Sequence, residues 1–466
     1  MAFQSVPATV AGMARAQSKQ NKTSKPAGPA RSPQGLAARH LAVQLVSDVL
    51  IGRQPFDQSW SHWTARPAIT TLEPRDRALA RLIAATVLRR QGELEHVLNA
   101  FLTKPLPADK GRLWPILLTA AAQLVCLGMP PHAVVDIAVD LARRDRGAHR
   151  FAKLANAVLR RVGEHGTGLL ADQDGVRCNT PDWLWQRWAD HYGSATARRI
   201  AEASLSEAAL DLTLKPGTEA EAQAWAHKLG GALLPTGSVR VTQHGRIEEL
   251  AGFAGGAWWV QDAAAALVVR LAGDVTGRSV ADLCAAPGGK TAQLAAAGAR
   301  VTAVDVSAAR LNRLGDNLAR LHLQADVVAA DAATWSPGRT FDVVVVDAPC
   351  SATGTIRRHP DILRLKRVED IARMAELQGT LLRNSAGLVA PGGVLVYATC
   401  SLEPEEGERQ VAAFLDQGSQ FKRETIDPAP FGADPAWFTP QGELRTLPFH
   451  LAGMDGFYAA RLRRTG

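Results

Sequence analysis

The chain has no Cys-x-x-Cys pair: its five cysteines, Cys126, Cys178, Cys284, Cys350 and Cys400, are scattered over 466 residues. That excludes the ligand spacing of a structural zinc site and the framework of a disulfide-stapled fold. It fits a reducing, cytoplasmic compartment, and no metal is expected. An uninterrupted apolar run of membrane length is also missing. The longest apolar stretch, Leu113 to Pro131, contains Pro115, Gln123 and Gly128 and closes on two prolines, so it reads as a buried helix with no membrane contact. Acid is absent before Asp48, and the basic residues there flank no apolar core of signal-peptide type. An organellar transit peptide stays open on that ground. What is plentiful is cation: 53 Lys and Arg against 45 Asp and Glu give a net charge of +8, which points to an acidic partner, most simply nucleic acid.

The length calls for two to four domains. Residues 1–34 are rich in Ala, Ser, Pro, Gly, Gln and Lys and bury too little to fold, so a disordered basic tail is expected. Over 35–165 the apolar spacing is helical throughout, for example Ala38, Leu41, Ala42, Leu45, Val46 and Val49. Gly, His, Asp and Gln cluster over 163–175, which predicts a linker. Residues 176–260 mix helices with short alternating strands, which predicts a small α+β module. Trp183, Trp185 and Trp188 there share a helix with apolar neighbours and read as core. From 261 to 466, strands and helices alternate as in a doubly wound parallel α/β sheet.

Chemistry gathers at the strand ends of that last region. Phe341-Asp-Val-Val-Val-Val-Asp347 is a buried strand ending in an acid, followed by Ala-Pro-Cys350; a later strand ends at Thr399-Cys400. In open α/β sheets ligands bind outside such ends. Ser279 to Thr291 reads as strand, glycine turn, helix, with Cys284, Ala285, Ala286, Pro287, Gly288, Gly289 and Lys290 in the turn. Gly-Gly-Lys-Thr invites a P-loop reading with Asp347 as its second carboxylate, but Cys284 stands where the first glycine is required. Gly-x-Gly-x-x-Gly is absent too, which disfavours NAD. Asp305, ending the next strand, can accept from both hydroxyls of a ribose, and Asp331 from an adenine amine; Arg310 is near enough to reach the rim. A ribose-bearing cofactor without terminal phosphates, S-adenosylmethionine, fits this set best. Two thiols beside such a loop suit methylation at a pyrimidine carbon: one thiolate adds to C6 of cytosine, C5 takes the methyl group, and a proton acceptor completes the cycle. Strand geometry leaves open which of Cys350 and Cys400 is the nucleophile. Asp347 is the group that would polarise the base, with Lys290 holding it. Arg357 and Arg358, beside the thiols, would contact RNA phosphates near a flipped base. For Cys126 and Cys178 an inert role is expected.

Those residues carry a resemblance. Gln261-Asp262, Asp282-Leu-Cys-Ala-Ala-Pro-Gly-Gly-Lys-Thr, Asp347-Ala-Pro-Cys-Ser, Thr399-Cys-Ser-Leu-Glu-Pro-Glu-Glu and Asp455-Gly-Phe-Tyr are similar to the motifs of the RNA 5-methylcytosine methyltransferases, and within them of the bacterial Sun/Fmu ribosomal RNA family. Arg75-Asp-Arg, Leu88-Arg-Arg, the run from Gln123-Leu to Pro130-Pro-His-Ala, and Asn156-Ala-Val-Leu-Arg resemble the helical RNA-binding antitermination factor NusB. Departures are Thr119-Ala-Ala-Ala, Ala263, Ala352-Thr353 and Gly407. The resemblance implies a NusB-like bundle, a small α+β module and a Rossmann-like catalytic domain. It also implies Cys400 as nucleophile, Cys350 in product release, and a cofactor site of Cys284 to Lys290 with Asp305, Asp331 and Asp347. The expected substrate is a cytosine of 16S ribosomal RNA, and a monomer is expected. A transfer RNA target is the alternative, and a non-catalytic RNA-binding or antitermination factor the second.

Overall fold

The computed structural model describes residues 35–242, 245–418 and 420–465; the expected basic tail, 1–34, lies outside the described residues. Helices fill the first part. The first, Leu36–Leu50, buries Ala38, Leu41, Ala42, Leu45, Val46 and Val49 on its inner side, the set its spacing predicted. Prolines at the first helical position open Pro67–Thr70, Pro74–Arg89 and Pro131–Arg144, where a missing N–H costs nothing. All these helices share one apolar core, in which Leu113–Ala121 runs on into a π-helical turn, Ala122–Cys126. No helix among the described residues is long and apolar enough to cross a membrane.

The expected linker over 163–175 is a correction. The helix Ala152–Ala171 runs through most of it, and the break falls at 172–174. Its glycines read as punctuation, yet Gly166 packs so tightly that a Cβ there would lie 2.7 Å from Val125 and 3.3 Å from Val97. Glycine here permits close helix packing and does not end the helix.

The middle module holds a four-stranded sheet in the order β2-β3-β1-β4, formed by β1 (Leu210–Leu214), β2 (Ala232–Leu233), β3 (Val239–Val241) and β4 (Trp258–Val260). Trp188, from its helix Asp182–Tyr192, is buried; Trp183 and Trp185 are half-buried against the same cluster.

The last sheet has eight strands. In chain order they are β5 (Ser279–Leu283), β6 (Arg300–Asp305), β7 (Asp326–Ala329), β8 (Phe341–Asp347), β9 (Val389–Thr399), β10 (Phe421–Arg423), β11 (Leu444–Arg445) and β12 (Tyr458–Arg464). The spatial order is β10-β12-β9-β8-β5-β6-β7, with β11 on β12. The β9-β8-β5-β6-β7 run is parallel, as expected. The purely parallel sheet is corrected at its other end: β12 pairs antiparallel with β9, and β10 with β12. A mixed sheet with helices on both faces is the Rossmann-like arrangement. Val343 to Val346 are fully buried because both faces of β8 are covered.

Sheet and helical bundle are joined through the segment that follows the Cys350 loop. Arg364 donates to the carbonyls of Leu88 (3.3 Å) and Asn179 (3.1 Å), Arg89 to that of Arg357 (3.0 Å) and Arg53 to that of Leu365 (2.7 Å). The Phe56 N–H donates to Asp361 (3.0 Å), and His359 lies 3.3 Å from Asp57. The bundle therefore grips the chain a few residues from the thiols.

Candidate active site

Strand order sets the site. Along the carboxyl edge the parallel run presents, in turn, Cys400 after β9, Asp347 and Cys350 after β8, the Cys284 loop after β5, Asp305 ending β6 and Asp331 after β7. Sequence-distant groups become neighbours because each ends an apolar strand.

The loop after β5 makes its turn with Cys284 in the left-handed region (φ 62°) and Gly288 at φ 101°. A Cβ on Gly288 would meet Leu314 at 2.8 Å, so glycine is required there for close helix contact. Ala285 and Ala286 are buried, while Pro287 faces solvent. Asp305, 2 % exposed, accepts from the backbone N–H of Ala286 (3.1 Å) and of Ser307 (2.9 Å). Arg310 donates to the Ala286 carbonyl and lies 3.6 Å from Asp305. Asp331 is exposed and accepts from the Ala333 N–H (2.9 Å). Asp282 is fully buried inside β5; Thr291 donates to one oxygen (2.6 Å) and the other has no partner among the described residues. Burial pushes its carboxyl up to about 7. Burial, then the charges of Asp347, Asp305 and Asp282, pushes the Cys284 thiol up to about 12. A loop ringed by carboxylates repels a triphosphate and suits a cationic sulfonium. The donor set therefore fits S-adenosylmethionine and not a P-loop nucleotide.

Next to it, Lys290 Nζ donates to Asp347 Oδ2 (2.6 Å) and sits 5.2 Å from the Phe457 ring centroid. Burial pushes the Lys290 ammonium down, but Asp347 outweighs it and the net direction is up, so the lysine stays charged. Cys350 Sγ and Cys400 Sγ are 3.4 Å apart, both half-buried and unlinked. The hydrogen bond to Cys400, then burial, then the charges of Cys400 and Glu406 hold the Cys350 thiol well above its ordinary value. Cys400 in turn raises both Lys290 and Arg358.

Backbone bonds lace the loops together. The Gly354 N–H donates to the Cys400 carbonyl (3.0 Å), and the Gly456 N–H to the Gly354 carbonyl (2.8 Å). Arg358 is ion-paired with the buried Asp455, whose N–H donates to Asp262 (3.0 Å). Burial, then the Asp455 charge, pushes Asp262 up to about 7.

The sequence placed Arg357 and Arg358 side by side on the surface. Instead Arg357 is turned inward, 5 % exposed, donating to the Glu207 carbonyl (3.4 Å), because the middle module covers it. Arg358 alone is left near the opening. Cys126, pushed up to about 11 chiefly by burial, and the exposed Cys178 lie away from the site. The sequence reading missed Glu406 and Gln378 as site residues. Glu406 stood in the Pro-Glu-Glu motif, but nothing in the sequence marked Gln378. No group of three or more His, Cys, Asp or Glu placed to hold a metal occurs among the described residues.

Comparison with known proteins accounts for both halves. The family model described as 16S rRNA methyltransferase RsmB/F matches residues 271–463, and that of the NusB family residues 36–164. A ribosomal RNA small subunit methyltransferase B of Vibrio cholerae is 38 % identical over 415 residues, 84 % of this chain and 91 % of that protein. Its namesake in Sodalis glossinidius is 35 % identical over 449 residues, 92 % of this chain and 98 % of that protein. The solved structure of a methyltransferase homolog protein from Pyrococcus horikoshii matches at TM-score 0.51 and 26 % identity, covering 60 % of this chain and 93 % of that one.

Proposed function

This chain belongs to the RsmB/F family of 16S rRNA methyltransferases, with a NusB family domain ahead of the catalytic one, and from that premise we propose that it methylates C5 of a cytosine in 16S ribosomal RNA through a covalent adduct. The observation that carries this reading is the pair of thiols 3.4 Å apart, beside a lysine–aspartate pair 2.6 Å apart, next to a carboxylate-ringed loop.

Cys284 to Lys290, Asp305, Asp331 and Arg310 would hold S-adenosylmethionine, which supplies an electrophilic methyl group. Asp347 receives the exocyclic amine of the cytosine, and Lys290, bonded to its other side, keeps Asp347 aimed. The Cys400 thiolate, facing Lys290 and Arg358, adds to C6; the new S–C6 bond pushes electrons to C5, which takes the methyl group. The C5 proton then leaves, the C5–C6 double bond re-forms and the S–C6 bond breaks. Cys350, still protonated and in contact with Cys400, gives its proton to the departing sulfur and is refilled by the proton from C5. Arg358 contacts an RNA phosphate at the opening, and the helical domain, of the NusB family, binds RNA as well.

The test is to incubate the protein with 16S ribosomal RNA and S-adenosylmethionine and map the product by bisulfite sequencing. One newly protected cytosine is the expected result. Methyl transfer to transfer RNA, or to an atom other than C5, would contradict the reading.

A further inference from the structure

A single buried carboxylate joins the two thiol loops. Glu406 is fully buried. Its Oε1 accepts from the Ser351 N–H (2.8 Å) and from Gln378 Nε2 (3.0 Å). Its Oε2 accepts from the hydroxyls of Ser351 and Ser401. Ser351 follows Cys350 and Ser401 follows Cys400, so one side chain fixes the residue next to each sulfur. Gln378, on the helix Val368–Gly387, also donates to the Pro349 carbonyl (2.8 Å), which ties the other side of Cys350 to the same cluster. The carbonyl of Glu406 accepts from Tyr397 (2.9 Å) and Thr399 (3.3 Å), which anchors the carboxylate to the end of β9.

Four donors converge on the carboxylate. The charges around the sulfurs are then unequal. The anion acts on Cys350, while the cations Lys290 and Arg358 answer to Cys400. We propose that Glu406 is a positioning residue for both thiols: it clamps the Cys350 loop to the Cys400 loop through the serine that follows each sulfur, and its charge, locked beside Ser351, adds to the difference between the two sulfurs. This rests on the covalent reading above and adds what separates attacker from proton donor. Cys350 stays a thiol through its hydrogen bond to Cys400 and its burial, and the carboxylate locked beside it adds to both, which leaves Cys400 to attack.

Two substitutions separate charge from shape. In Glu406→Gln the retained oxygen can still accept from the two N–H groups, and the serine hydroxyls can rotate to accept from the new amide; the fold is kept and the charge is lost. In Glu406→Ala the Ser351 N–H loses its acceptor, and the serine hydroxyls and Gln378 keep only each other and the Pro349 carbonyl, so the clamp is gone. In full-length protein, the pH dependence of Cys350 alkylation by iodoacetamide is followed by peptide mass spectrometry, alongside kcat and KM for S-adenosylmethionine. The Glu406→Gln alkylation midpoint should move to lower pH. Glu406→Ala should lose roughly tenfold or more in kcat while KM for the cofactor stays put, and Glu406→Gln should recover part of the loss. An unshifted Cys350 midpoint in Glu406→Gln, or an unchanged kcat in both variants, would overturn the proposal. If Glu406→Ala does not fold, the Glu406→Gln midpoint still decides. Failure of the covalent reading shows elsewhere, as a missing RNA adduct in protein whose Glu406 is intact.

Discussion

Asp305 and Asp282 sit on adjacent strands of one sheet and do opposite things. Asp305 ends its strand and keeps backbone donors on both oxygens, an acceptor at the cofactor loop. Asp305→Ala should weaken S-adenosylmethionine binding roughly tenfold or more, since a lost charge-assisted hydrogen bond costs about 1.5–3 kcal/mol; calorimetry on the folded variant checks this. Asp282 lies inside its strand with one oxygen unpartnered, and burial pushes it from 3.8 to about 7. The folded state therefore binds its proton more tightly than the unfolded state. The stability this confers is complete below pH 3.8 and is lost as pH rises through about 7. Asp282→Asn removes that titration while still accepting from Thr291. Its melting temperature relative to the parent should rise on going from acid to mildly alkaline pH, and a pH-independent difference would contradict this. Asp305 was legible in the sequence, because it punctuates an apolar strand; Asp282 stood only within a motif, with nothing to mark its burial. Glu406 was not legible as a hub, since its partners Ser351 and Gln378 come from other segments.

At the scale of elements, the parallel strands were readable from their apolar runs and acid ends. The antiparallel β12 was not, because nothing local in Tyr458–Arg464 states its direction. The helix Ala152–Ala171 was misread where glycine serves packing. The crossing of the three site loops is a contact of the same kind. A Cβ on Gly354 would lie 2.0 Å from the Gly456 carbonyl oxygen and 2.9 Å from that of Cys400. Gly354→Ala must spread these loops. We expect kcat to fall roughly 100-fold, the size associated with about 1 Å of misplacement. Stability should fall by about 1–3 kcal/mol through overpacking. Parental kcat in Gly354→Ala would show that the crossing tolerates movement and that the thiol spacing is not set there.

For the whole molecule, the sequence divided the chain after its tail into a helical domain, a small α+β module and a catalytic domain, and the contacts of Arg364 tie the three together. Arg364 is pushed down to about 10 by burial and spends its hydrogen bonds on carbonyls of Leu88 and Asn179. Arg364→Ala should lower stability by about 1.5–3 kcal/mol and resolve one calorimetric transition into two. A single unshifted transition would show that the grip is incidental. No local pattern foretells such contacts, because they join segments far apart in the chain. The central claim is that two thiols act in sequence on one base of a bound RNA. Its most direct measurement is denaturing gel electrophoresis of 16S ribosomal RNA incubated with S-adenosylmethionine and the parent protein, Cys350→Ala, Cys400→Ala or the double variant. Cys350→Ala should attack, methylate and stall as an RNA–protein adduct that depends on the cofactor, while Cys400→Ala and the double variant should give none. An adduct from Cys400→Ala and not from Cys350→Ala would reverse the roles, and activity retained in both single variants without any adduct would refute covalent catalysis through this pair.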